Sequence, residues 1–187
     1  LVWSNYPWMT ADQVRQTLLT TADYMDDGSV NNGLYNETYG WGYFNKDKAV
    51  NGVGMFTKEF GNFDANVTDG YVGVFSNDIK GDAGLIKNGN GRLVLSGDNS
   101  YTGDTTVNSG VLKVSGDTSS SVFTVNGGGT LLGGNGTTGS VNNYGNVSTG
   151  EGTLAVKGDY TQSKDASLTY KVGNELTVSG KANIDGA

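Results

Sequence analysis

The chain contains no cysteine and no histidine. The first absence rules out disulfides and thiolate metal sites. The second removes imidazole ligands, and together they leave no Ser-His-Asp or Cys-His catalysis within these 187 residues. Only carboxylate, lysine or tyrosine chemistry remains. Basic residues are scarce, 12 Lys plus Arg against 19 Asp plus Glu, for a net charge of −7 and a pI near 4.4. They are spread along the chain, so no nucleic-acid partner is expected. No apolar run approaches the roughly 20 residues of a membrane-crossing helix. The N-terminus shows neither a basic n-region nor a cleavage motif. Direct membrane insertion is therefore not expected, and any signal peptide or anchor is expected outside these residues. Proline occurs once, and the 31 glycines follow no G-X-Y period, which excludes collagen.

What is present is enough for a thin core: Leu, Ile, Val and Phe total 41 of 187 residues. So many glycines with so little proline favour tight turns repeated between short strands. The first 57 residues read differently from the rest. Thr10-Ala11-Asp12-Gln13 is a capping box, and Ala11, Val14, Leu18 and Ala22 come after it at helical spacing. They form an apolar face, with Asp12, Gln13, Arg15 and Gln16 largely on the other, where Arg15 and Gln16 are expected to be solvated. That face should be covered by the first coils of a downstream solenoid, another chain or a retained cleaved fragment. Asp26-Asp27-Gly28 and Asn31-Asn32-Gly33 predict turns that end the helix. Tyr39, Trp41, Tyr43 and Phe44 form an aromatic cluster in which Gly40 and Gly42 allow close backbone approach.

From about Phe60 the sequence becomes short β-branched runs divided by Gly, Asn, Asp, Ser and Thr. Strands are predicted at Tyr71 to Phe75, Arg92 to Leu95, Thr105 to Val107, Val111 to Val114, Val122 to Val125, Leu131-Leu132, Val141 to Val147, Thr153 to Val156, Ser167 to Val172 and Leu176 to Val178. Taking Leu93, Leu112, Leu131, Leu154 and Leu176 as equivalent gives steps of 19, 19, 23 and 22 residues. The spacing predicts a stacked coil with two or three strands per turn. An antiparallel sandwich is the alternative, since regularly spaced short strands are also its signature. Against it stand the regular leucines and the lack of a large aromatic core. Asn88, Asn99, Asn108, Asn126 and Asn142 either stack as ladders between coils or simply permit left-handed turns.

Two stretches resemble known families. Tyr6 through Ala22, with Tyr39-Gly40-Trp41-Gly42-Tyr43-Phe44-Asn45 and Lys48-Ala49-Val50-Asn51-Gly52, is similar to the C-terminal end of a subtilisin-like protease domain. Gly84 through Val114, including Lys87-Asn88-Gly89-Asn90-Gly91 and Asn99-Ser100-Tyr101-Thr102-Gly103, resembles the autotransporter passenger-associated repeat. The resemblance implies a mainly β fold, a right-handed parallel β-helix over residues 58–187, preceded over residues 1–57 by a small α-containing remnant of a subtilase α/β domain. It further implies a serine endopeptidase parent on the bacterial cell surface or secreted, reached by outer-membrane translocation. Its partners would be an upstream subtilase catalytic domain, a downstream outer-membrane β-barrel and protein substrates. In subtilases the nucleophile lies in a Gly-Thr-Ser motif upstream of Leu1, so no catalytic residue is carried onto these positions. A surface adhesin whose β-helix binds host or neighbouring cells is the alternative.

No catalytic, cofactor-binding or metal-ligating residue is assigned, and no cofactor is expected. Gly134-Asn135-Gly136-Thr137-Thr138-Gly139 fits G-x-G-x-x-G, but no helical pattern comes after it. The same segment lacks the Asp that a calcium-binding β-roll repeat requires at Thr138. Asp23, Asp26 and Asp27 fail the EF-hand spacing at Met25 and Leu34. Asp98 and Asp104 are the nearest approach to a glycosidase pair and have a ready role in turns. A β-helical polysaccharide lyase or hydrolase draws little support from eight Lys plus Arg scattered between Lys80 and Lys181.

Overall fold

The computed structural model describes residues 1–29 and 34–185, so the predicted turn at Asn31-Asn32-Gly33 lies outside the described residues. Three short helices open the chain: α1 (Val2–Asn5), α2 (Ala11–Thr20) and α3 (Lys46–Ala49). The capping box forms as predicted, with the Gln13 amide donating to Thr10 Oγ1 and the Thr10 amide donating to Gln13 Oε1.

The strands are then laid down coil by coil. The first coil holds β1 (Phe63–Asn66) and β2 (Val72–Phe75), and the second β3 (Leu85–Asn88) and β4 (Arg92–Leu95). The third holds β5 (Thr105–Val107), β6 (Gly110–Val114) and β7 (Asp117–Thr118), and the fourth β8 (Phe123–Val125), β9 (Gly129–Gly133) and β10 (Gly136–Thr138). The fifth holds β11 (Val141–Asn143), β12 (Asn146–Ser148) and β13 (Leu154–Val156). The sixth holds β14 (Tyr160–Gln162), β15 (Ser167–Thr169) and β16 (Leu176–Val178), and β17 (Ala182–Ile184) begins a seventh. Every pairing between these strands is parallel, and they stack into three sheets ordered β1-β3-β5-β8-β11-β14-β17, β2-β4-β6-β9-β12-β15 and β7-β10-β13-β16. The chain is a parallel β-solenoid with three sides, which excludes the antiparallel sandwich.

Strands of two to five residues carry little burial each, so the core is assembled in columns. Leu93, Leu112 and Leu131 are in register on one side, all fully buried. The predicted continuation of this column to Leu154 and Leu176 is corrected. Val147 and Leu168 continue it, while Leu154 and Leu176 stack on Gly136 along the third side. The 23-residue step is a step between sides, because a β-branched valine replaces leucine in the column. The predicted Val141 to Val147 strand is likewise two strands, separated by a corner at 144–145.

Gly145 shows why glycine recurs at corners: a Cβ there would lie 2.2 Å from the carbonyl oxygen of Asn126 in the coil below. Because each buried leucine touches the coils on both sides, Leu131→Ala should cost roughly 2–5 kcal/mol. The check is chemical denaturation of the chain, with the solvent-facing Thr124→Ala expected to change little.

Candidate functional site

The first coil has an edge with no coil before it. Helix α2 lies there, and it presents its polar face to the edge. The Gln16 side chain, 5% exposed, donates to the Met55 carbonyl at 3.1 Å, and the Gln13 side chain donates to the Asp64 carbonyl. Thr20 Oγ1 accepts from the Gly54 amide at 3.1 Å while donating to the Gln16 carbonyl at 2.7 Å. Residues 51–56 in turn bond into the first coil, the Phe56 amide donating to Lys80 and the Ala83 amide to Phe56. The expectation of a solvated Gln16 is therefore corrected; Arg15 is exposed as expected. Of the apolar face, Val14 and Leu18 pack half-buried against the core and Ala11 remains exposed. The coils take the polar face because open strand edges need hydrogen-bond partners, which apolar side chains cannot supply.

Beside the helix, Trp8 plugs the end of the hydrophobic interior. Its ring packs against Tyr6 and Phe75, in the space left by Gly73, where a Cβ would approach it to 3.0 Å. The Tyr6 hydroxyl lies 2.7 Å from the Val74 carbonyl, and burial pushes its pKa up to about 12. The aromatic cluster sits apart from this plug. Tyr35, Trp41 and Phe60 stack in sequence, and Tyr43 and Phe44 are exposed. Gly42 lies so close to the Asp23 carbonyl that no side chain fits.

Inside the coils, polar groups bridge neighbours. Lys87 is fully buried in the second coil, and its ammonium donates to the carbonyls of Asn88 (2.7 Å), Gly89 (2.8 Å) and Ser109 (3.2 Å), the last on the next coil. Burial lowers its pKa to about 8. Asn99 joins three coils, accepting from the Ile79 amide and donating to Gly97 and Thr118. Tyr101, Thr105 and Ser121 form a chain of hydroxyls ending on the Gly103 carbonyl, each link 2.7 Å. At one corner Asn126 donates to Asn108, Asn108 to Asn88 and Asn88 to Asp64, at 2.8–3.0 Å. Three of the five candidate asparagines thus form a ladder, while Asn99 works inside and Asn142 lies on β11 outside the stack.

The remaining sequence motifs have structural places. Gly134–Gly139 leads into β10, a strand where a dinucleotide fold needs a helix. Asp26 and Asp27 accept from the amides of Gly28 and Ser29, and the Ser29 hydrogen bonds hold the Asp27 pKa down near about 2. Asp23 pairs with Lys48 at 2.7 Å. Asp98 receives no catalytic partner from Asp104; its amide donates to Asp78 and the Asp104 carbonyl accepts from Leu85. Among the described residues no group of three or more Asp or Glu side chains is placed to hold a metal. The polar interior was not foreseen from sequence, although the inward register of Lys87 and Thr105 within alternating strands was a usable signal.

Gln16→Ala leaves the Met55 carbonyl unpaired, so unfolding should become easier by roughly 1–3 kcal/mol, measured by urea titration. For Lys87, the folded pKa of about 8 lies below the unfolded value near 10.5, so the unfolded chain holds more protons between them. Stability should rise from pH 8 towards pH 10, above which Tyr6 and Tyr101, with their raised pKa values, oppose further gain. The rise should disappear in Lys87→Met, read from unfolding midpoints at pH 7.5 and pH 9.5.

Comparison with known proteins places these features. Residues 85–114, which hold Lys87, Asn99, Tyr101 and Thr105, match the passenger-associated-transport-repeat family. The whole chain aligns at 36% identity with the Neisserial autotransporter lipoprotein NalP of Neisseria meningitidis serogroup B, covering 17% of that protein. An extracellular serine protease of Serratia marcescens is 32% identical over 75% of the chain and 16% of its own length. The adhesin BmaC autotransporter of Brucella suis biovar 1 is 44% identical over 46% of the chain and 2% of its own length. The chain thus spans about a sixth of the first two relatives. Its repeat, its full-length alignment and its parallel solenoid make it a homologue of autotransporter passenger regions.

Proposed function

We propose that the chain is the junction and stem of a bacterial autotransporter serine endopeptidase, displayed on the cell surface or secreted after crossing the outer membrane. Residues 1–57 are the end of a subtilisin-like domain and residues 58–187 the stem. Peptide-bond hydrolysis belongs to the catalytic domain upstream, acting on protein substrates, and an outer-membrane β-barrel lies downstream. The observation that carries this reading is the bonding of α2 to the first coil. A stalk transmits position only if its load is joined to it rigidly: Gln13 bonds the Asp64 carbonyl of β1 directly, and Gln16 and Thr20 hold Met55 and Gly54 in a segment whose Gly54 and Phe56 bond Lys80 and Ala83 of the first coil. Successive coils each bury their faces on the one before, so the solenoid can also grow one coil at a time and serve as a folding scaffold during translocation. An adhesin reading has one favouring observation, the aligned segment of the Brucella adhesin.

The test is deletion in the parent protein. Phe123 and Val141 are register partners, so removing residues 123–140 takes out one coil in register. Removing 123–131 instead breaks the register. The first variant should keep peptide-hydrolysing activity on intact cells, and the second should lose most surface passenger, measured by protease shaving. Equal display of both variants, or a displayed parent with no peptidase activity before deletion, would contradict the proposal. Cell binding without peptidase activity would assign the adhesin reading.

A further inference from the structure

The corners joining the first and second sides of the solenoid are not equally long. In the fourth coil, residues 126–129 lie between the register positions Val125 and Thr130; in the sixth, residues 163–166 lie between Gln162 and Ser167. In the fifth coil only residues 144–145 lie between Asn143 and Asn146. A short corner between two longer ones leaves a notch. It has a volume of about 320 Å³ and is lined on one wall by Gly127, Gly128 and Gly129, at its floor by Tyr144 and on the other wall by Asp165.

Two features separate this notch from a gap in a repeat. The asparagine ladder of Asn88, Asn108 and Asn126 stops here, and the next corner position carries Tyr144, 54% exposed. In addition, neither the Tyr144 hydroxyl nor the Asp165 carboxylate has a hydrogen-bond partner among the described residues, so fold stability does not account for either. Thr130, Asn146 and Ser167 add polar groups around the ring. These three already bond to one another: Ser167 and Thr169 donate to Asn146 Oδ1, and Asn146 Nδ2 donates to Thr130 Oγ1 at 3.5 Å, which leaves the amide one further proton to donate.

We propose that this notch is a binding subsite for one pyranose ring of a neutral glycan. A pyranose has an apolar C–H face for the tyrosine ring and adjacent hydroxyls for a carboxylate. The glycine wall leaves room for the ring edge, and the volume falls at the lower end of ligand clefts. A lysine or arginine side chain from a protein partner offers donors only, so it would use Tyr144 and Asp165 but leave the second Asn146 amide proton without the acceptor that a sugar hydroxyl supplies.

The experiment is saturation-transfer NMR on the purified 187-residue chain, with the methyl glycosides of glucose, galactose and N-acetylglucosamine at tens of millimolar. At least one should bind with a millimolar Kd. Tyr144→Ala should abolish its signal and Asp165→Asn should weaken binding about fivefold, with thermal unfolding unchanged because both side chains are exposed. Absence of transfer from all three sugars overturns the proposal, as does transfer that neither substitution alters. Binding of N-acetyl-arginine amide through Tyr144 and Asp165, without sugar binding, overturns it in favour of a protein partner.

Discussion

A parallel coil is never complete by itself. Its strand N–H and C=O groups point along the solenoid axis, half of them to each side, and must meet another coil, or something that imitates one. That requirement governs the rest of this molecule. It makes register strict, since a strand of three residues has no length to spare. It demands glycine where corners stack closely, as at Gly145 over Asn126. It also explains the use of α2, whose Gln13 bonds the edge of β1 and whose Gln16 and Thr20 hold residues 54–56 in place to pair with Lys80.

The same constraint shapes the interior. A three-sided coil narrow enough to be filled by valine and leucine has corners where backbone carbonyls turn inward. Lys87 satisfies three of them, and the hydroxyl chain from Tyr101 to Ser121 satisfies Gly103. These groups lie within or beside the matched repeat at 85–114, so the repeat corresponds physically to corners closed by buried donors. A buried ammonium surrounded by carbonyls alone carries a desolvation cost, expressed in its lowered pKa. Its return is a bond to the Ser109 carbonyl of the next coil.

Much of this architecture was legible in advance. The capping box at Thr10, the change of texture near Phe60 and the leucines at 93, 112 and 131 each reported local rules that the structure obeys. What was not legible depended on which side of the triangle a residue occupies. Leu154 and Val147 look interchangeable by composition, and only pairing separates them. The strand Leu85–Asn88 was missed because its inward positions hold Leu85 and Lys87, and a lysine reads as solvent-facing until three carbonyls are found around it. The polar face of α2 was misassigned for a related reason: amphipathic reasoning sends apolar residues inward, whereas an open sheet edge recruits amides and hydroxyls. At the candidate notch, nothing local marks Tyr144 until the corner lengths of neighbouring coils are compared.

Whether α2 closes the first edge as effectively as another coil would is tested most directly by hydrogen exchange resolved to single amides. If it does, the amides of Phe56 and Phe63, which bond from the capped end to Lys80 and Gly84, exchange as slowly as that of Phe123 in the middle of the stack. In the isolated 187-residue chain, the amides of Tyr160 and Asp185, beside an edge that carries no such helix among the described residues, should exchange faster. Equal, rapid exchange at both ends would show that the helix merely rests on the solenoid and does not close it.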